Sequence, residues 1–371
     1  MASRTYLARG SAIRRSAVLL AVALVAVLAA RPARAQLQFS SADGKQSFKI
    51  GVLGQLQAES IENGNAKNDS ANNLFLRRLR LLGNFKLSDQ LTVFFDTDAP
   101  NLGKGNPDGS KNNADIFIQD FVVTYAFSKE FQLDGGMLLM AQSYNHNQSA
   151  ASLMALDYGP YTFVESVPTT SRTGRDYGVQ ARGYLGDDHL EYRAGVFQGV
   201  RGVNNTNSFR YAGRLAYYVF GPETTYFYRG TSLGKTQTLS IGGSFDRQED
   251  YKSYGADLFW DQPVAGGDGV TLQADYNQVD GDVFIPTLPK QRNAMVELGY
   301  YFHTIKLMPY VQLARQNFDA AARPDEKRTQ GGVAFWFAGH NSNLKLAWTK
   351  IDRDGAKKRN QYQLQYQVFQ F

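Results

Sequence analysis

The 371 residues carry 40 Lys and Arg against 34 Asp and Glu, a formal charge of +6, with four histidines and no cysteine. Without cysteine, disulfides, thiolate zinc sites and cysteine nucleophiles are excluded, and His146, His189, His303 and His340 lie too far apart in sequence to suggest a ligand set. The whole excess of charge belongs to Arg4, Arg9, Arg14, Arg15, Arg31 and Arg34 in an acid-free leader; the remaining residues hold 34 of each sign and give no support to nucleic-acid binding.

The leader, residues 1–35, reads as a secretory signal peptide. A basic front is followed by the apolar run Ala17–Ala30 and the small-x-small site Ala33-Arg34-Ala35. That run is too short for a spanning helix, which needs about 20 residues. Arg14-Arg15 has no supporting twin-arginine pattern, so the ordinary secretory route and a mature domain over 36–371 are expected.

From Phe48 the chain alternates. Phe48, Ile50, Val52, Leu56 and Ala58 fall on one face, and Lys49, Gln55, Gln57 and Glu59 on the other. Sixteen such segments are predicted, at about 48–61, 74–87, 91–99, 116–127, 131–140, 176–185, 189–199, 209–220, 238–247, 253–261, 270–279, 293–303, 305–316, 330–338, 343–351 and 360–371. Their lengths suit tilted strands crossing a bilayer, about 9–11 residues each. The connections mostly alternate between long and short: Glu62–Asn73 is long, Ser88-Asp89-Gln90 short, Pro100–Asp115 long, Ser128–Glu130 short and Ala141–Arg175 very long. Outer-membrane barrels alternate in this way, with short periplasmic turns and long outer loops. Two links break the pattern: Gly221–Gln237 is too long for a short-side turn, with Thr224–Gly230 a possible extra strand, and Gln248–Lys252 is short for an outer loop.

A soluble β-sandwich would bury its apolar faces and would not need aromatics at strand ends. Phe117, Phe121, Tyr125 and Phe127 share one face of one segment, and Tyr211, Tyr217, Trp260, Tyr276, Tyr300 and Trp348 recur on the apolar faces of others. Aromatic girdles at two membrane interfaces account for that placement. The expected fold is all-β: a transmembrane antiparallel β-barrel of about sixteen strands.

Several motifs, in order, resemble the phosphate-selective porin O/P family of bacterial outer-membrane channels. They are Phe75-Leu76-Arg77-Arg78-Leu79-Arg80-Leu81, then Arg175-Asp176-Tyr177-Gly178-Val179-Gln180 with Leu190–Gly199, then Ala212-Gly213-Arg214-Leu215-Ala216-Tyr217, and finally Gly339-His340-Asn341 before Leu344-Lys345-Leu346. The resemblance implies a homotrimer, a third outer loop folded inward, and permeation by anions such as phosphate or polyphosphate. It also implies outer-membrane lipid and lipopolysaccharide, the barrel-assembly machinery and periplasmic chaperones as partners. No cofactor, metal, nucleic acid or enzymatic activity is expected.

Within each strand the polar phase faces the lumen, because a basic side chain facing lipid at mid-bilayer costs about 2–4 kcal/mol. Arg78, Arg80, Lys86, Arg182, Arg193, Arg210 and Arg214 are therefore candidates for lining the pore, since the planar guanidinium fork suits phosphate oxygens. Phe75 and Arg77 fall in the lipid phase, Arg77 near a strand end where it can snorkel. The competing expectation is structural pairing, because Asp96, Asp98, Asp120, Asp134, Glu191, Asp246, Asp257, Asp275 and Glu297 share the lumen phase. The third long loop offers Tyr144, Tyr158, Tyr161, Arg172 and Arg175 as constriction residues. It has no lysine, and it suits a general or sugar-passing pore as well as a phosphate one. A non-conducting barrel acting as adhesin or receptor is the alternative of another class.

Phe371 provides the aromatic end that serves as an assembly signal in such barrels. Tyr362, Leu364, Tyr366 and Val368 occupy the opposite phase from Phe369 and Phe371, with Gln363, Gln365 and Gln367 between them. A bulge or strand end near Val368–Phe369 is predicted, since a one-residue slip exchanges the faces.

Overall fold

A computed structural model describes residues 37–63, 70–106, 108–113, 115–202 and 208–371; the expected signal peptide lies outside them. The strands are β1 (Leu37–Ser40), β2 (Ser47–Ile61), β3 (Ala71–Lys86), β4 (Leu91–Asp98), β5 (Phe117–Ala126), β6 (Gln132–Leu139), β7 (Arg175–Leu185), β8 (Leu190–Phe197), β9 (Arg210–Phe220), β10 (Thr238–Gln248), β11 (Tyr251–Pro263), β12 (Gly269–Asp280), β13 (Gln291–Tyr301), β14 (Leu307–Phe318), β15 (Glu326–Phe335), β16 (Phe337–His340), β17 (Ser342–Arg353) and β18 (Arg359–Gln370). Sixteen of them, all but the short β1 and β16, form a closed antiparallel barrel. Each pairs with its neighbour in sequence, and β18 returns to pair with β2. All sixteen predicted segments are found.

The side-chain alternation is inverted relative to a soluble barrel. On β13, Gln291, Asn293, Met295 and Glu297 are buried inside, while Ala294, Val296 and Leu298 face out. This sorting keeps charge away from hydrocarbon.

Three register shifts change the faces. Opposite β2, Gln55 pairs with Arg78 but Leu56 with Leu76, so Arg77 is an extra residue on β3. This bulge corrects the expectation for the outer end of that strand. Phe75 turns inward and is buried, and Arg77 reaches the lumen and does not snorkel to lipid. A second shift lets Gln119 and Asp120 both be buried beside Asp96, and a third lies between Leu239 and Ser240.

No bulge occurs at Val368–Phe369. Pairing with β2 runs unbroken from Gln361↔Ile61 to Gln370↔Val52. Gln365 and Gln367 are buried in the lumen and Tyr362 faces out, as expected, but Phe369 and Phe371 simply stay in the inward phase. They can do so because the lumen at this end is apolar: both rings pack on Leu53, Leu82, Ala150 and Ala151.

Two connections fill the barrel. The loop over 140–174 enters from the long-loop end and carries the one-turn helix α1 (Tyr144–Asn147), capped by Ser143. The anomalous link 221–237 enters from the short-turn end. It is irregular, not an extra strand, and makes one parallel bridge, Gln148↔Tyr228, to the loop above it.

Candidate permeation pathway

The 140–174 loop crosses the whole lumen, and polar side chains of opposite walls hold it. Gln142 donates to Asp246 (2.9 Å) and Ser143 to Asp275 (3.1 Å) on one side. On the other side Gln367 donates to the Ala151 carbonyl (2.8 Å), and Lys345 donates to those of Leu153 and Ala155 (2.6 and 2.8 Å). The Leu156 amide donates to the Tyr310 hydroxyl (3.2 Å). Residues Ala150–Leu156 are almost wholly buried, so this stretch is a partition and not a surface loop.

The 221–237 link lies beneath the partition. The Tyr228 amide donates to the Asn147 carbonyl and the Ser149 amide to the Tyr228 carbonyl, both at 2.9 Å. Gly230 donates to Ser152 Oγ (2.9 Å), and a Cβ there would sit 1.9 Å from the Ser152 carbonyl oxygen, so only glycine permits the approach. Tyr144 is stacked between Phe259 (4.0 Å) and Tyr228 (4.8 Å). Its role is packing, deep inside the plug.

The inward arginines meet carboxylates. Arg80 bonds Asp98 (3.0 and 3.1 Å) and approaches Asp96 (3.4 Å), and Arg175 grips Asp120 (3.1 and 3.2 Å). Arg182 pairs with Asp134 (2.8 Å) and Arg193 with Glu191 (2.6 Å). Arg210 clasps Asp246 with both forks, and Arg214 clasps Asp257. Arg214 reaches Asp257 by lying over Gly242, where a Cβ would come within 2.3 Å of its guanidinium. All six guanidinium side chains are buried. Arg80, Arg182, Arg193, Arg210 and Arg214 lie in the inward phase expected of them, and Arg175, expected in the constriction loop, begins β7, but the lumen around all six is packed. Lys86 sits elsewhere, half-exposed at the short-turn mouth with Asp89 (2.7 Å). Arg172 lies exposed at the opposite rim over the Phe117 ring (4.6 Å).

Open space remains against the opposite wall. A cavity of about 360 Å³ is lined by Arg77, Arg78, Asp157, Tyr158, Arg328, Gln312, Gln330, Thr349, Gln361 and Gln363, among others. Asp157 binds Arg77 (2.7 Å) and Arg78 (2.6 Å), and Arg78 also donates to Gln55 (2.8 Å) and faces the Tyr158 ring (5.4 Å). Tyr161 donates to Glu326 (3.0 Å), which also receives Arg328 (2.7 Å). Burial alone would raise the Asp157 carboxyl, but the Arg77 and Arg78 guanidiniums outweigh it and hold the group well below the ordinary carboxylate range. Of the residues singled out in the sequence, Arg78 and Tyr158 line this space and Tyr161 borders it. Arg77, Arg328 and the glutamine and threonine wall were missed as a group. The inward position of Arg77 depends on its bulge, and which part of the lumen stays open depends on where the two plugs lie.

Residues 48–251 match the model of the family described as phosphate-selective porin O and P. A comparison with curated proteins finds no match in sequence. Among solved structures, the fold is similar to Salmonella typhi OmpF in complex with daunomycin, with a TM-score of 0.59, 13% identity, and coverage of 90% of this chain and 100% of that one. It is also similar to the anion-selective porin from Comamonas acidovorans (0.58, 12%, 88% and 100%) and to the outer membrane channel DcaP of Acinetobacter baumannii (0.57, 13%, 90% and 99%). The barrel and the family match together indicate a channel of the bacterial outer membrane. With more than half of its length in the match, the chain belongs to the phosphate-selective porin O and P family.

Proposed function

We propose that the chain is a passive diffusion channel for small polar solutes, with a modest preference for anions set by Arg77, Arg78 and Arg328. The carrying observation is the asymmetry of the lumen: six inward arginines are buried against carboxylates away from the open space, whereas that space is lined by Arg77, Arg328 and the buried, Asp157-paired Arg78 together with a neutral wall of glutamine and threonine. Each of the three is itself partly balanced, by Asp157 or Glu326, which favours weak over strict anion selection. Conduction requires sites that bind strongly enough to admit a solute and weakly enough to release it. Amide and hydroxyl groups meet that condition for sugars and small acids as well as for phosphate.

The second reading, tight phosphate selectivity, draws on the guanidinium trio alone. Reversal potentials in planar bilayers separate the two. Under a salt gradient the wild type should favour anions weakly, with no block by millimolar phosphate, and Arg77→Gln/Arg78→Gln/Arg328→Gln should lose the preference. Phosphate block would establish the second reading. Folded, heat-modifiable protein without single-channel conductance would replace both with a non-conducting receptor or adhesin.

A further inference from the structure

Charged side chains on the outside of the barrel cluster near the long-loop ends of β10 to β17, where Arg247 and Lys252 already lie directly opposite each other on β10 and β11. Near the long-loop ends of their strands, Arg292 (β13), Arg315 (β14), Lys327 (β15) and Lys350 (β17) all point outward and are exposed. Their neighbours on the same strands, Gln291 and Asn293, Ala314, Glu326, Thr349 and Ile351, are buried inside, which fixes the orientation. The registers make the four a continuous diagonal row. Ala294 pairs with Arg315, Arg315 lies directly opposite Lys327, and Thr329 pairs with Lys350. Like charges directly opposite on one face repel.

Neighbouring acids neutralise only part of this charge. Asp319 pairs with Arg292 (2.8 Å) and Lys290 (3.2 Å), and Asp352, which lies across from Lys327, pairs with Lys358 (2.7 Å). Among the described residues, Arg315, Lys327 and Lys350 form no ion pair with a carboxylate. Directly below the row, toward mid-barrel on the same outer face, come Val296, Leu313, Leu346 and Trp348, all exposed. The corresponding outer ends of β3 to β9 carry Leu74, Ile118, Tyr177, Val196 and Tyr211, and the arginines near that level, Arg77, Arg175 and Arg210, face the lumen.

We propose that this row is a binding site for the phosphate groups of a phosphorylated lipid in the outer leaflet, with its acyl chains on the apolar strip below. A cationic ledge above an apolar wall matches an amphiphile: the phosphates bridge Arg315, Lys327 and Lys350 and relieve their repulsion, while the chains cover the hydrocarbon-facing residues. A free anion has no use for the strip. The inference rests on the long loops facing the cell exterior, and it is independent of which solutes permeate.

The test compares the folded wild type with Arg315→Gln/Lys327→Gln/Lys350→Gln in detergent. Retention of diphosphorylated lipid A and of its dephosphorylated form is read by native mass spectrometry, with and without inorganic phosphate. Each cation removed should weaken binding of the diphosphorylated probe about fivefold, so about a hundredfold for three. The dephosphorylated probe should be retained weakly by both proteins, and millimolar inorganic phosphate should not displace the bound lipid. Equal retention by wild type and variant, or equal retention of the two probes, would overturn the proposal; ready displacement by inorganic phosphate would overturn its lipid assignment. Conductance of the variant in phosphatidylcholine bilayers reports folding, and it should match wild type whatever the lipid result, so a failure here is distinct from a failure of the permeation reading.

Discussion

Lys345 stands on β17 with its side chain fully buried, and its Nζ donates to the backbone carbonyls of Leu153 and Ala155 rather than to a carboxylate. A wall lysine thus fastens the loop that partitions the lumen, and the Trp336 ring lies 5.1 Å from its Nζ. Backbone carbonyls of the loop are held by a group from the barrel itself.

Lys345→Met should therefore loosen the partition. Two buried carbonyls lose their donor, at about 1–3 kcal/mol each before relaxation. The expected result is a lower unfolding midpoint in heat-modifiability gels and a larger, noisier single-channel conductance. A quiet conductance equal to wild type would show that the loop is held without this lysine.

Asp157→Asn should raise the anion preference. The substitution removes the carboxylate shared by Arg77 and Arg78 at the edge of the open space. One partly screened charge corresponds to about a two- to fivefold change in permeability ratio. Because the Asp157 carboxyl is held below the ordinary range, its stabilising contribution is complete above the unfolded-state value and is lost only as pH falls through the lower folded-state one. Reversal potentials of the wild type should stay level from neutral pH into the mildly acidic range, then move toward the Asp157→Asn value on stronger acidification. Early movement, near the ordinary carboxylate range, would show that the two guanidiniums do not govern this group.

Arg210→Met tests the scaffold role of the buried arginines. It leaves Asp246 buried without its bidentate partner, and breaking such a pair costs about 3–5 kcal/mol. Removing both charges, with Asp246→Leu added, should recover much of that loss, because a well-packed apolar pair of similar volume is often as stable as a buried ion pair. Ion selectivity should follow the wild type in the folded double variant. A large change in reversal potential there, not reproduced by Gln142→Ala, which releases the same loop contact to Asp246, would assign Arg210 to permeation.

How much of this was legible in the sequence follows from the range of each interaction. Alternation is local, so β13 and its fifteen partners could be read residue by residue. The faces failed where an inserted residue resets the phase without any compositional mark, at Arg77 on β3 and at Gln119–Asp120 on β5, where Ile118 rather than Phe117 shares the outer face with Phe121. The ends of β18 failed differently: Phe369 and Phe371 were assumed to need lipid, whereas Leu53 and Ala150 supply an apolar lumen floor. Pairing within a strand, as between Glu191 and Arg193, is visible in a sequence. Pairing of Arg214 with Asp257 across an intervening strand is not, because it depends on Gly242 leaving room beneath the guanidinium. The open part of the lumen was least legible of all, since it is defined by where two long connections pack.

The link 221–237 gives the last test, because its length broke the loop alternation and its position explains why. Arg193 donates to the carbonyls of Tyr226 (2.9 Å) and Thr225 (3.2 Å), and Tyr228 donates to Glu191 (2.9 Å), so one buried ion pair anchors the link to the wall. Phe227 meets Phe94 (5.2 Å), and Phe94 in turn meets Phe371 (6.0 Å), which closes the short-turn end with aromatic rings. Replacing residues 223–235 with a short glycine–serine turn should remove the lower layer of the plug while leaving the barrel ladder between β9 and β10 intact. Single-channel conductance should rise severalfold and selectivity should weaken, because solutes then pass one partition instead of two. Unchanged conductance in a folded, heat-modifiable variant would mean that the upper loop alone sets the resistance of the channel.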